Sequence, residues 1–303
     1  MMKSMLGLLF LAGVVLPLPA TAQPQAGEAD GNDIVVTAVP TDPVRLRKAV
    51  AAFVGRVAQV ANQGQLSRRL ESFCPKVLGI EDIYQPMVLA KLRDAAKAAG
   101  IRELPAGCKS NLVVIFTTNG DVLMKALRSK RPGFFVNLEP VKTRELFGSG
   151  RAVRWWYENS PRGPNGQAVP GATDMNVGAS ATEMNSMQVY TSSLITTNIV
   201  VNLSGNVVVI DVAKAEGFPL DAIASYAAMV SFAQVTARDT ALAEIPSVLG
   251  MFARPNPRKE ALRDLTAWDR AYLHGLYRIE PNRPFDTQRR RLTAKMRDAI
   301  VVE

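Results

Sequence analysis

One histidine and two cysteines limit the chemistry that these 303 residues can perform. A structural zinc site usually takes four His or Cys ligands, and a tetra-cysteine iron–sulfur cluster takes four thiolates, so neither fits the chain. A Ser-His-Asp or Cys-His device would have to use His274, since there is no other imidazole. Phosphate-loop, dinucleotide-binding, nucleophile-elbow and calcium-loop motifs are also absent from the sequence. We therefore expect no metal, no cofactor and no assigned catalytic residue.

His274 lies in a predicted helix, and Arg270 precedes it by one helical turn. That spacing places both side chains on one face of the helix. A general base is one interpretation of His274; a packed or surface helix residue is the other, and we favour it. Thr266 and Asp269 have the spacing of a capping box, so Asp269 is expected to stabilise the start of the helix. Binding of a ligand by Asp269 and His274 is the less favoured alternative.

Paired carboxylates are the remaining route to catalysis. Asp211 and Glu216 follow an apolar run and are the candidates for a hydrolase that works with acidic groups in a cleft. No further pattern in the sequence supports a reaction at these two residues.

The C-terminal part of the chain is basic. Between Arg254 and Asp298, twelve Lys/Arg stand against six Asp/Glu, and Arg289, Arg290 and Arg291 are consecutive. One interpretation is an anionic partner surface such as lipid headgroups or acidic glycans. The other, which we favour, is a solvated helix face.

The first 22 residues have the pattern of a secretory signal peptide. Lys3 precedes an apolar run from Leu6 to Leu18, and Ala20-Thr21-Ala22 forms an A-x-A cleavage pattern. The run is shorter than the ~20 residues of a membrane-spanning helix, which makes a retained anchor the less favoured alternative. We expect a periplasmic or secreted mature chain that starts at Gln23, has no transmembrane segment and binds no nucleic acid.

Export changes the interpretation of the two cysteines. An even number of cysteines in an oxidising compartment favours a disulfide between Cys74 and Cys108. Two buried free thiols, or a catalytic cysteine acting with His274, are the alternatives.

The hydrophobic pattern predicts an α+β protein. Helical spacing predicts helices over 43–62, 81–99, 121–129, 140–147, 221–235, 266–277 and 287–300. Apolar runs predict strands over 70–78, 111–118 and 151–158, and a hairpin of 191–203 with 206–212 around Ser204-Gly205-Asn206. Composition predicts a linker over 23–42 and an exposed insertion over 159–186. The expected fold is one domain over 43–303, with a mixed or antiparallel sheet, a hairpin and several packed helices.

Trp155 and Trp156 are neighbours on a predicted strand, so their side chains point to opposite faces. We expect one in the core and the other at the surface, where a sugar-stacking platform is the less favoured use.

Four segments resemble an uncharacterised family of exported alphaproteobacterial proteins. They are 73–79 (FCPKVLG), 107–116 (GCKSNLVVIF), 246–249 (PSVL) and 265–277 (LTAWDRAYLHGLY). The last is also similar to the closing segment of degenerate metzincin-type zinc peptidases. This resemblance implies a zincin-like scaffold in which the helix after the hairpin corresponds to H-E-x-x-H-x-x-G-x-x-H.

Aligned in this way, that helix lacks the peptidase residues. Tyr226, Val230 and Thr236 stand at the three ligand positions, Ala227 at the glutamate and Ala233 at the glycine. None of these side chains can bind zinc or activate water as the peptidase requires. The resemblance therefore implies a scaffold without a metal site.

We expect an exported binding or structural protein that is not an enzyme and whose partner is an envelope protein or an anionic surface. A periplasmic hydrolase is the first alternative. The second is an accessory partner of an outer-membrane receptor, suggested by the segment Asp33–Ala38, which is similar to the N-terminal segment of TonB-dependent receptors.

Overall fold

The computed structural model describes residues 39–61, 64–135, 138, 140–148, 150–167, 196–235, 245–253 and 262–302. The predicted signal peptide, most of the predicted linker and most of the predicted insertion lie outside these residues. The described part contains seven α-helices and one four-stranded sheet with parallel and antiparallel pairs, which confirms the predicted α+β class.

The helices follow the predicted order with shifted ends. They are α1 (Pro43–Val57), α2 (Gln85–Ala99), α3 (Gly120–Lys130), α4 (Pro140–Phe147), α5 (Leu220–Phe232), α6 (Ala267–Leu276) and α7 (Phe285–Val302). Asp42 begins α1 by accepting a hydrogen bond from the Arg45 N–H at 2.7 Å. Gly100 ends α2 with φ +74°, a left-handed conformation that glycine adopts without strain.

The strands are β1 (Pro75–Leu78), β2 (Leu112–Thr117), β3 (Val153–Arg162) and β4 (Val200–Asp211), arranged in the order β1-β2-β4-β3. The first three strands of this order are parallel, and β3 lies antiparallel to β4 at the edge. Cys74 precedes β1 and is not part of it.

The predicted hairpin around Ser204-Gly205-Asn206 is wrong. These residues lie inside the single strand β4, where the pairing with β3 shifts register after Glu158. Ser204 donates its hydroxyl to the Glu158 carbonyl at 3.0 Å. A Cβ on Gly205 would come 2.7 Å from a carboxylate oxygen of Glu158. The small polar residues therefore accommodate a β-bulge and a close neighbour instead of a turn.

Helices cover both faces of the sheet. On one face, α1, α2, α5, α6 and α7 form the main core with alternate strand residues such as Val208 and Ile210. On the other, α3 and α4 form a smaller apolar cluster around Trp156 and Val209. Every residue of α5 from Ala222 to Phe232 is buried, as its apolar composition predicts.

Two consecutive buried arginines, Arg68 and Arg69, stabilise the region before β1 by hydrogen bonds to distant parts of the chain. Arg68 donates to the Leu276 carbonyl, and Arg69 donates to Asn206 Oδ1 at 2.6 Å and to the Asn111 carbonyl at 2.9 Å. Burial lowers the pKa of both guanidinium groups to about 10. These hydrogen bonds position the next two residues, Leu70 and Glu71, which line a cleft along β3.

Candidate functional site

A cleft of about 880 Å³ runs along the edge strand β3. Its walls come from residues 154–159 of β3, from α4 with the turn before it, from Gln59 just after α1, and from the segments on both sides of the Cys74–Cys108 bond. The cleft is therefore built from parts of the chain that are far apart in sequence. Its volume lies within the range of small-molecule sites.

The Cys74–Cys108 disulfide is present, which confirms the predicted pairing. Ser72 lies two residues before Cys74, and Lys109 and Ser110 follow Cys108; all three line the cleft. The bond thus joins two segments that form one wall.

Both tryptophans of β3 are buried, so the expectation that one would be exposed is wrong. Trp155 packs against Tyr226 in the main core with ring centroids 5.8 Å apart. Trp156 packs against Phe135 at 5.2 Å and Phe134 at 6.5 Å on the opposite face. Only 2 % of Trp156 is exposed, because the turn between α3 and α4 covers it. A flat sugar-stacking platform does not fit this packing.

Arg154 lies beside Trp156 on the same face of β3, and its side chain is 1 % exposed. One terminal nitrogen, Nη2, donates to Asp121 and to the Gly148 carbonyl. Lys214 Nζ also donates to Asp121 at 2.8 Å and lies 3.4 Å from Asp211. The hydrogen bond from Lys214, together with the charge of Arg154, holds the pKa of Asp121 below its ordinary value.

Asp211, a candidate for the hydrolase, belongs to this network. It is 2 % exposed and accepts a hydrogen bond from the Gly120 N–H at 2.8 Å. A Cβ on Gly120 would come 2.5 Å from Arg154 Nη1 and 3.0 Å from Asp211 Oδ2, so a side chain at this position would displace one of the charged groups. Glu216, the other candidate, is exposed on the turn after β4. The two carboxylates therefore lie in different environments. Glu216 is at the surface, whereas Asp211 is buried and has a structural role.

Three buried N–H donors in the cleft lining have no hydrogen-bond partner among the described residues. They are Trp156 Nε1, Arg154 Nε and Arg154 Nη1. A buried donor left without an acceptor costs about 1–3 kcal/mol, so such groups are rare in folded proteins. All three belong to Arg154 and Trp156, so the unpartnered donors of the cleft lining lie in one part of the cleft.

The charges that line the cleft are mixed, with four cations and three carboxylates: Lys109, Lys142, Arg151, Arg154, Glu71, Glu145 and Glu158. Glu71 forms an ion pair with Arg162 of β3. Tyr157 donates to the Ala233 carbonyl at 2.9 Å, which fixes the segment after α5 against the edge strand. Burial raises the pKa of Tyr157 well above its ordinary value.

Asp269, a sequence-predicted binding candidate, is fully buried and stabilises local structure. It completes a capping box with Thr266 at the start of α6, as the spacing predicted. It also accepts hydrogen bonds from the Ser247 hydroxyl and, at 3.1 Å, from the Val248 N–H. Burial raises the pKa of Asp269 despite these hydrogen bonds.

His274 lies away from the cleft, in a groove of about 540 Å³ that Arg270 also lines. The shared face that their spacing predicts is therefore observed.

Nucleophilic catalysis with cysteine is excluded, because both cysteines are in the disulfide.

The three consecutive arginines lie on α7 and interact within the chain. Arg289 lies 3.6 Å from Asp286, Arg290 donates to the Thr287 hydroxyl at 3.2 Å, and Arg291 pairs with Glu280. The hydrogen bond from Arg291 lowers the pKa of Glu280.

The residues aligned with the peptidase positions lie in or just after α5. Tyr226, Ala227, Val230 and Ala233 are all buried, and the helix ends at Phe232; Thr236 lies outside the described residues. Over the described ranges, no group of three or more His, Cys, Asp or Glu side chains could hold a metal ion. No described helix combines the length and apolar character that spanning a bilayer requires.

Comparisons with protein-family models, with curated proteins and with solved structures gave no match to this chain.

Sequence reasoning missed Arg154 as a functional candidate and considered Trp156 only as one of two tryptophans that could stack on a sugar. Alternation along β3 could have placed both on one face, together with Glu158. No local pattern indicates that Arg154 is buried or that the donors of Arg154 and Trp156 lack acceptors, because those properties depend on α3, α4 and β4.

Proposed function

We propose that this chain is an exported, non-catalytic binding protein whose ligand occupies the cleft along β3 and presents an acceptor oxygen to Arg154 and Trp156. The predicted signal peptide and the disulfide support export, since disulfides persist in oxidising compartments.

The unpartnered donors carry this proposal. Trp156 Nε1 and two nitrogens of Arg154 are buried beside the cleft without an acceptor among the described residues. A carboxylate, carbonyl or hydroxyl oxygen of a ligand would satisfy them and offset the cost of their burial. Both residues are almost fully covered, and Phe134 and Phe135 pack on Trp156, so contact with the ligand requires this turn to move.

The remaining lining favours a polar organic ligand. Cations and carboxylates are interspersed along the cleft, so a ligand with both donors and acceptors fits better than a simple anion. The aromatic rings next to the donors supply apolar contact area.

Binding agrees with the environment of the acidic residues better than hydrolysis does. Asp211 is engaged by Gly120 and Lys214, and Glu71 by Arg162, so these carboxylates have structural partners. The positions aligned with a peptidase active site hold apolar or uncharged side chains.

Trp156→Phe tests the proposal, because it keeps an aromatic ring and removes the N–H. Trp268→Phe is the matched control, since Trp268 is equally buried but packs in the main core on Phe53. We expect Trp156→Phe to lower the free energy of unfolding by less than Trp268→Phe does, since both leave a cavity but Trp156→Phe also removes an unsatisfied donor. A loss of more than about 2 kcal/mol beyond the control would show that the N–H has a partner in the protein itself.

Ligand binding is measured by the tryptophan fluorescence of the Trp268→Phe protein, in which the signal comes from Trp155 and Trp156. Short peptides, amino sugars and hydroxy acids are titrated in turn. We expect a saturable change for at least one of these classes and a loss of about tenfold or more in affinity when Trp156→Phe is added. Absence of any saturable change, or unaltered affinity in the double variant, would overturn the proposal.

A further inference from the structure

A second cavity, the groove between α2, α6 and α7, has a volume of about 540 Å³. Each helix contributes one alanine to its lining: Ala98, Ala271 and Ala299. Alanine side chains end at the methyl group, so the groove is open where longer side chains would fill the space between the helices. These methyl groups give the groove an apolar base.

Cationic side chains surround this base. Lys97 comes from α2, Arg270 from α6 and Lys295 from α7, while Arg278 follows α6. Lys97, Arg278 and Lys295 are exposed, so their charged ends are accessible from solvent. Four Lys or Arg from separate elements therefore line a single groove.

Two carboxylates also line the groove, and both are already neutralised. Asp94 forms an ion pair with Arg270 at 2.7 Å. Asp298 forms an ion pair at 2.6 Å with Arg297, which is not part of the lining. Within the part of the chain that the structure describes, Lys97 and Lys295 form no ion pair. A net positive potential therefore remains in the groove.

We propose that this groove binds a phosphomonoester. A dianionic phosphate with three terminal oxygens can accept hydrogen bonds from Lys97, Arg278 and Lys295 together. The volume exceeds what inorganic phosphate alone would fill, and the alanine base suits the organic part of such a ligand. The site is separate from the cleft along β3 and does not depend on the function proposed there.

His274 gives a direct reporter for the test. It is the chain's only histidine and it lines the groove, so its imidazole proton signals in the NMR spectrum need no assignment. The full mature chain is titrated with glycerol 3-phosphate at constant pH and low ionic strength. We expect the His274 signals to shift and to saturate, whereas sodium chloride at matched ionic strength gives no saturable shift.

Charge-matched double variants locate the site. Lys97→Gln/Lys295→Gln removes two cations of the groove, and Arg289→Gln/Arg290→Gln removes two cations of α7 outside it. Both lose the same net charge, so general electrostatic attraction falls equally. We expect affinity for glycerol 3-phosphate to fall about tenfold or more in the groove variant and less than about threefold in the control.

Several results would overturn the proposal: no saturable shift, an equal loss in both double variants, or equal affinities for inorganic phosphate and glycerol 3-phosphate. Near-ultraviolet circular dichroism verifies that the variants are folded.

Sedimentation with vesicles of phosphatidylcholine containing phosphatidic acid identifies the source of the phosphate. Co-sedimentation that the groove variant loses supports a lipid headgroup. Saturation by glycerol 3-phosphate without co-sedimentation supports a soluble phosphomonoester.

Discussion

Cys74 and Cys108 are joined by a disulfide, with their Cα atoms 6.1 Å apart, and the segments on either side of the bond line the cleft along β3. Cys74 directly precedes β1, while Cys108 lies in the loop between α2 and β2. The bond therefore holds that loop against the sheet and fixes Lys109 and Ser110 in the wall of the cleft. The same covalent link contributes to stability and to the geometry of the candidate site.

Replacing both cysteines by serine is expected to lower the free energy of unfolding by about 3–4 kcal/mol. Chain entropy predicts this loss for a loop that closes over 34 residues. Denaturant titration of the protein measures it. Dithiothreitol should reproduce the loss in the wild-type protein and have no effect on the double variant. A change below about 1 kcal/mol would contradict the prediction.

Gly79→Ala is expected to destabilise the protein far more than Gly100→Ala. Both glycines have φ near +74° (73° and 74°), so alanine costs about 1 kcal/mol in backbone strain at either position. At Gly79, the new Cβ would also lie 2.0 Å from the Phe116 carbonyl oxygen, whereas nothing lies within 4 Å at Gly100. The backbone of β2 would have to move, which adds about 2 kcal/mol or more. Thermal unfolding of the two variants gives the comparison, and similar losses would show that the contact is easily relieved.

Asp269→Ala is expected to lower the free energy of unfolding by about 3 kcal/mol or more. The substitution would leave the Val248 and Thr266 N–H groups without an acceptor in a buried site. Thr266→Ala removes the hydroxyl that accepts from the Asp269 N–H and lies 2.8 Å from the Pro246 carbonyl, and it should cost less, about 1–2 kcal/mol. Chemical denaturation distinguishes the two values. Equal losses would mean that Asp269 acts only as a helix cap.

The ion-pair network at Asp121 predicts acid sensitivity. Its pKa is held below 3.8 in the folded state, and the unfolded chain keeps the ordinary value, so on acidification the unfolded state takes up the proton first. The stabilisation is complete above about pH 4 and is lost as the pH falls through the folded-state pKa. Asp121→Asn should therefore flatten the decrease in stability below about pH 4.

Asp82→Asn provides the control for this pH dependence. Asp82 is exposed, and its carboxylate accepts a hydrogen bond from the neutral amide of Gln85. The variant makes the same change of carboxylate to amide outside the network, so unfolding free energies are measured across the acid range for both variants and the wild type. An unchanged acid slope in Asp121→Asn would contradict the assigned role of the network.

Local patterns predicted the elements well. The buried residues of α1, including Leu46, Val50 and Val57, recur at the spacing that predicted this helix. The capping box of Thr266 with Asp269 depends on residues three positions apart, so the sequence alone could identify it. The predicted hairpin failed because Ser204 and Gly205 match a turn equally well, and the neighbouring strand decided between turn and bulge.

The candidate sites could not be predicted to the same extent. Arg68, Arg69 and Arg154 are charged side chains of a kind that is mostly exposed, yet the structure buries all three with backbone or carboxylate partners. Their partners lie far away in the chain, as in the contact of Arg68 with Leu276. A single sequence carries no local signal for such pairings.

The sequence by itself determined the α+β class, the absence of histidine from α5, and the two cysteines available for one disulfide. These properties follow from composition and from periodicity within single elements. Only the tertiary structure decided that Arg154 and Trp156 would lie together in a cleft with unpartnered donors, and that Lys97 and Lys295 would line the same alanine-containing groove. Such sites arise where separate elements pack, because burial and hydrogen bonding depend on neighbours that are distant in the chain.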